Sequence, residues 1–190
     1  QGSERSGITT SPPRVSSSPR PPSQIVPPIE SKLRLALSMP TSATTTNLPA
    51  IRSTGGTGAT ILDTRKTIPG LRQAQKYAVR VGGGSNHRIG LFDAVMLKEN
   101  HIRAAGSLTA AVERARALHP RLPLIVEVET LAQLREALDA GCTRILIDDF
   151  DPDTRREAVR IARSAPHDGR IPLEVSGGVD LASVRGIAED

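Results

Sequence analysis

The sequence predicts an α/β fold in which parallel strands build a (β/α) barrel, preceded by a disordered Ser/Thr/Pro-rich segment. Three observations predict it. Residues 1–57 are rich in Ser, Thr and Pro and have little to bury. From Thr57 onward, short apolar runs alternate with helical patterns. Such alternation implies a parallel sheet, because each parallel connection needs a crossover of a dozen residues or more. Finally, every strand ends in residues that a core rejects. That placement favours a barrel, whose strand ends meet at one mouth, over an open doubly wound sheet.

The chain divides at residue 57. Residues 1–58 hold nine of the 15 prolines and none of the three aromatics, Tyr77, Phe92 and Phe150. Pro12-Pro13, Pro21-Pro22 and Pro27-Pro28 block any regular element, so 1–57 reads as a disordered or non-native low-complexity segment. It is a solvated linker or a basic docking arm. Ser31 to Met39 is its one helix-like patch, through Leu33, Leu35, Ala36 and Leu37, and is too short to stand alone.

In the second part, 58–190, strands fall at Ala59–Leu62, Ala94–Leu97, Leu124–Val128, Arg144–Ile147 and Pro172–Val175. Each is apolar enough to be buried on both faces. Helices lie between them. Leu71, Ala74 and Ala78 mark one, and Leu108, Ala111, Val112, Ala115 and Leu118 a second. Leu131, Leu134 and Leu138 mark a third, with Thr130 as N-cap, and Ala158, Ile161, Ala162 and Ala165 a fourth after Asp151-Pro152. A fifth starts at Asp180.

Charge and cysteine content narrow the function classes. The net charge is +5, yet residues 1–58 carry six basic and two acidic residues, leaving 19 and 18 for the rest. The folded part is nearly neutral and lacks stacking aromatics, which argues against nucleic acid as a partner. Cys142 is the single cysteine, so no internal disulfide exists, and a reducing, cytoplasmic setting is expected. Its place before an apolar strand reads as a small buried thiol rather than a nucleophile. No apolar run reaches the length of a membrane span.

The strand ends carry the chemistry. They are Asp63-Thr64-Arg65-Lys66, Lys98-Glu99-Asn100-His101, Glu127 with Glu129, Asp148-Asp149 and Ser176-Gly177-Gly178. Arg65, Lys66, His87, Arg88 and Lys98 are cations suited to a multiply anionic substrate. Glu127 and Asp148 are hard oxygen ligands suited to Mg²⁺, which takes one or two carboxylates plus substrate phosphates. Ser176-Gly177-Gly178 can offer backbone N–H groups to a phosphate. Glu129 and Asp149 are site residues or solvated neighbours. His87, in the glycine-led Gly82-Gly83-Gly84-Ser85-Asn86-His87-Arg88 loop, is a ligand contact or a general acid/base. His87 and His101 lack the partners of a zinc site.

Asp63 to Arg72, Gly82 to His101, Glu127-Val128-Glu129, Ile147-Asp148-Asp149 and Ser176-Gly177-Gly178 together resemble the quinolinate phosphoribosyltransferases, in the family's order. The resemblance covers about residues 58–190. It implies joining quinolinate to phosphoribosyl pyrophosphate with loss of CO2 and pyrophosphate, giving nicotinate mononucleotide for NAD synthesis. It implies Arg65, His87, Arg88 and Lys98 around the quinolinate carboxylates. Lys66, Glu127 and Asp148 would handle phosphoribosyl pyrophosphate and its Mg²⁺, and Ser176-Gly177-Gly178 the ribose 5-phosphate. Lys66, Lys98, Glu127 and Asp148 are the expected catalytic group.

Three departures accompany the resemblance. Asp149 stands where the family usually has asparagine. The family's N-terminal α/β domain, which completes the partner's site in a homodimer through an arginine, has no counterpart in 1–57, and neither Arg34 nor Arg52 is assignable as that arginine. The chain also stops at Asp190, ahead of an expected last strand and second phosphate loop, so a partial (β/α) barrel is expected. The alternatives are a catalytically inactive fragment or interaction module, and a related barrel associated with molybdenum transport.

Overall fold

The computed structural model describes residues 34–36, 49–166 and 171–190. Among them, six parallel strands form one sheet: β1 (Arg34–Ala36), β2 (Thr60–Leu62), β3 (Val95–Leu97), β4 (Leu124–Val128), β5 (Ile145–Asp148) and β6 (Leu173–Ser176). The helices are α1 (Arg72–Val81), α2 (Glu99–Ala105), α3 (Leu108–Leu118), α4 (Leu131–Asp139), α5 (Pro152–Ser164) and α6 (Val184–Glu189). A helical turn also covers 49–53.

The strand order is β2-β1-β6-β5-β4-β3. Leu62 also bridges Ser85 in parallel. β2 and β3 are the ends of this order, yet residues following both line one cleft, so the sheet curves toward itself as a partial barrel.

Strand alternation sorts the two faces. Leu97, Val126, Val128, Ile145, Ile147, Leu173 and Val175 join the main core with the helices. The opposite face holds a small apolar cluster of Ala94, Ile125 and Leu146 backed by Met96. It also carries Glu127 and Glu174, which flank Leu146 in register, and Asp148, which pairs with Ser176. Burial on both faces holds for β4, β5 and β6, but the face turned to the cleft is mixed in polarity rather than wholly apolar. The acids are tolerated because each is hydrogen-bonded or opens onto the cleft.

The capping chemistry explains the helix starts. Ser107 accepts from the Ala110 amide, Thr130 from Gln133, and Asp151 from Asp153 and Thr154 with Pro152 at the first turn. The main core contains fully buried Leu108, Val112 and Leu134, and Cys142 is buried with its thiol pKa pushed up by burial.

Four local expectations differ. Within the patch Ser31–Met39, Arg34–Ala36 is a strand, not a helix, because pairing with β2 and β6 supplies bonds that a short isolated helix cannot. The rest of 1–48 lies outside the described residues. The α1 stripe is reversed: Leu71 and Ala74 are exposed, while Lys76 and Val79 are buried. Leu118 ends α3 in solvent. α2 follows Lys98 directly, where no helix was expected; the His101 ring accepts from the Lys98 amide, and Gly106 closes the helix at φ +93°.

The buried face of α1 holds the site loop. Lys76 donates to Asp63 Oδ1 at 2.6 Å and to the carbonyls of His87 and Arg88 at 3.0 Å each. Asp63 Oδ1 also accepts the His87 amide at 2.7 Å. Asn86, with its amide turned so that nitrogen faces acceptors, bonds Asp63 Oδ2 and the Lys76 carbonyl. Burial pushes the Asp63 carboxyl up, and the Lys76 ammonium and His87 amide oppose it.

Two outcomes are expected in urea unfolding. Lys76→Met strands Asp63 and costs about 3–5 kcal/mol. Leu134→Ala costs about 2–5 kcal/mol, whereas Leu118→Ala changes stability by less than about 0.5 kcal/mol. Equal losses at the two leucines would contradict the burial described.

Candidate functional site

The strand ends meet in a cleft of ≈ 890 Å³. All ten residues expected at a site line it: Arg65, Lys66, His87, Arg88, Lys98, Glu127, Asp148, Ser176, Gly177 and Gly178. This volume suits a substrate of drug size rather than a macromolecule. Glu129 does not line the cleft, and Asp149 does.

The cations reach the cleft from two segments. Arg65 and Lys66 follow β2, where the Thr64 hydroxyl accepts the Lys66 amide at 3.1 Å and Arg72 holds the Arg65 carbonyl at 3.2 Å. The Arg65 Nε is buried without a hydrogen-bond partner. Arg88 donates to the Ala94 carbonyl and the Met96 sulfur. Burial and then the charge of Arg65 lower the Arg88 pKa, opposed by Asp93 and Glu127. Two guanidiniums that repel in one cleft, one with an orphaned donor, form a place where an anion relieves strain in the charge distribution.

His87 is almost fully buried at the cleft wall. Its Nε2 lies 2.9 Å from Glu174 Oε2, and Glu174 Oε1 accepts from Arg144 Nη2 at 2.8 Å. Burial acts to raise the Glu174 carboxyl, but His87 and Arg144 outweigh it and the pKa falls to about 2.

Two strands from Glu174 on the same sheet face, Glu127 accepts from Lys98 Nζ at both oxygens, at 2.7 and 2.6 Å. Lys98 is 44% exposed and Glu127 is 8% exposed, so the pair sits at the cleft surface. Asp148, one strand along, is half-buried. No group of three or more His, Cys, Asp or Glu residues that could hold a metal occurs among the described residues. Glu127 and Asp148 offer hard oxygens, which fits Mg²⁺ shared with substrate phosphates and not an all-protein cage.

The Ser176-Gly177-Gly178 turn leaves β6 with Gly177 at φ +82° and Gly178 at φ +60°. A Cβ on Gly177 would come within 2.6 Å of the Asp149 backbone nitrogen. Asp149 itself sits at φ +56° and donates its amide to the Ser176 carbonyl at 3.0 Å. Asparagine and aspartate are the residues that best tolerate this left-handed conformation, so the departure to aspartate keeps the backbone while adding charge.

Sequence reasoning missed Lys76, Glu174 and Arg144 as supports of the site. A lysine on the inward face of an amphipathic helix and a glutamate inside an apolar strand were the available signals. Asp63 was legible as a strand end, but not as the acceptor that fixes His87. Met96 and Leu146, which line the cleft, were indistinguishable from core.

A family model described as quinolinate phosphoribosyl transferase, C-terminal domain, matches residues 42–190. A probable nicotinate-nucleotide pyrophosphorylase [carboxylating] of Bacillus subtilis is 48% identical over 125 residues, covering 65% of this chain and 42% of that protein. The nicotinate-nucleotide pyrophosphorylase [carboxylating] of Mycobacterium leprae is 48% identical over 126 residues, covering 66% and 44%. Among solved structures, the nicotinate-nucleotide pyrophosphorylase from Francisella tularensis matches with TM-score 0.72 and 45% identity, over 77% of this chain and 51% of that one. The chain thus spans less than half the length of the curated relatives it matches here. With its strand-end chemistry, parallel sheet and matched sequence in agreement, the chain belongs to the quinolinate phosphoribosyl transferase family, over that family's C-terminal domain.

Proposed function

We propose that this cleft transfers the phosphoribosyl group of phosphoribosyl pyrophosphate to quinolinate with decarboxylation, giving nicotinate mononucleotide, CO2 and pyrophosphate. The observation that carries the reading is the cleft itself. It gathers Arg65, Lys66, His87, Arg88 and Lys98 around Glu127 and Asp148, beside a glycine turn. Both substrates are small and multiply anionic, and one brings the phosphates that Mg²⁺ needs.

In this reading Arg65, His87, Arg88 and Lys98 grip the two carboxylates and orient the ring nitrogen toward the anomeric carbon. The new C–N bond forms as the bond to pyrophosphate breaks, and Lys66 stabilises the departing charge. Glu127 and Asp148 would hold Mg²⁺, which supplies charge neutralisation on the phosphates when bound. The 2-carboxylate then leaves as CO2, its electrons passing into the pyridinium ring, and a proton replaces it. Neither step needs a covalent nucleophile, consistent with a buried Cys142 whose thiol is pushed up in pKa.

Glu127 has to release Lys98 for either partner to change. An ion pair with the lysine this exposed holds with about 1 kcal/mol or less, so incoming carboxylates can draw Lys98 away. The homodimer of the family belongs to the same reading and is open to sedimentation measurements.

Incubating the folded chain with quinolinate, phosphoribosyl pyrophosphate and Mg²⁺ tests the reading by chromatographic detection of nicotinate mononucleotide. Formation that stops on chelation is expected; folded protein that gives no product removes the assignment. A second outcome follows from the turn. Gly177→Ala forces a side chain into the Asp149 backbone at a positive φ, and is expected to weaken phosphoribosyl pyrophosphate at least about tenfold. Quinolinate binding, read by calorimetry, should stay within about twofold of the unaltered chain.

A further inference from the structure

His87 is held at more points than a simple ligand contact needs. Its backbone amide and carbonyl are fixed by Asp63 and Lys76, and its ring is fixed separately by Glu174. Glu174 reaches it from the middle of β6, 1% exposed, and Arg144, leading into β5, holds the other carboxylate oxygen. A carboxylate only accepts hydrogen bonds, so with Glu174 ionised the contact requires the proton on Nε2 of His87. The second ring nitrogen, Nδ1, has no hydrogen-bond partner among the described residues, and the ring lines the cleft. Which nitrogen of a histidine faces a ligand is set by the bond that the other one makes.

We propose that Glu174, steadied by Arg144, is a positioning residue that locks the proton of His87 on Nε2 and presents Nδ1 to the bound aromatic dicarboxylate. It rests on the functional reading above and goes beyond it by naming the group that sets the histidine's orientation. Glu174 does not touch substrate. It acts through the ring: with Nε2–H held on the Glu174 carboxylate, Nδ1 is the nitrogen that faces the substrate carboxylate, and a proton carried there donates to it. Without it, the ring is free to turn over and offer either nitrogen, and the grip on the dicarboxylate loses its preset geometry.

Two measurements on the full chain decide this. Nitrogen-15 NMR of the imidazoles, with His87 identified by its loss in His87→Asn, reads the proton's position without any ligand. At about pH 8, where a free imidazole is neutral and exchanges between tautomers, His87 is expected to keep its proton on Nε2. An averaged signal, or an Nε2 without its proton, overturns the proposal.

Calorimetry then compares the unaltered chain with Glu174→Gln. Affinity for pyridine-2,3-dicarboxylate is expected to fall about tenfold, the scale of one charge-assisted hydrogen bond. Affinity for phosphoribosyl pyrophosphate with Mg²⁺ is expected to change less than about twofold, because that ligand does not need the ring. Equal loss of both ligands, or no loss of the dicarboxylate, overturns the proposal. Should Glu174→Gln not fold, the spectrum of the unaltered chain decides. A chain that binds no dicarboxylate at all, with His87 still protonated on Nε2, defeats the functional reading while leaving the Glu174 lock standing.

Discussion

The site depends on one buried ion pair, Lys76 with Asp63. Neither residue is polar surface turned inward by accident, because every atom of the pair has structural work. Asp63 closes the end of β2 and accepts the His87 amide, while Lys76 ties the carbonyls of two successive loop residues. A buried pair of this kind contributes little net stability, since desolvation offsets most of its attraction. Its value is geometric. It fixes the backbone of a glycine-led loop whose own sequence, with Gly82, Gly83 and Gly84 in succession, has little preference for one path.

From that fixed loop the rest follows by strand alternation. Residues on one face of the sheet enter the helical core and hold the scaffold together; residues on the other face reach the cleft. Lys98, Glu127, Asp148 and Ser176 each sit within a residue of the end of a different strand, and the parallel arrangement brings all those ends to the same side. Glu127 stands opposite Leu146, and Leu146 opposite Glu174, so acids two strands apart are separated by an apolar residue rather than by each other. Like charges directly opposite would be destabilising. Spacing them this way lets a nearly neutral domain hold dense local charge.

Much of this was legible in the sequence, for a physical reason. Parallel strands buried under helices read as apolar runs, and any polar residue at their ends stands out; hence five of the six described strands and ten of the residues that line the cleft were visible. The helix stripe of α1 was misread because a hydrophobic pattern cannot recognise a lysine that is buried against a carboxylate. Leu71 and Ala74 looked like core only on the assumption that charge faces water. β1 was illegible for a different reason. Three residues carry no periodicity, and their strand state comes from β2 and β6, which lie distant in sequence. Glu174 was hidden by its neighbours, since Leu173 and Val175 made the run look wholly apolar.

The two carboxylate pairs at the cleft differ in exposure, and that difference separates support from chemistry. Glu174 is closed off, its carboxyl held down at about 2 by His87 and Arg144 against the cost of burial. A carboxylate held down in this way stays ionised around neutral pH, which is what a ring support requires. Glu127 is less deeply placed, 8% exposed against 1% for Glu174, and its partner Lys98 is 44% exposed. A lysine on a flexible four-carbon stem loses a surface contact at small cost, whereas an arginine fixed behind a buried acid does not. The cleft thus has one carboxylate pair built to stay and one able to exchange partners, and it is the second that an incoming anion can open.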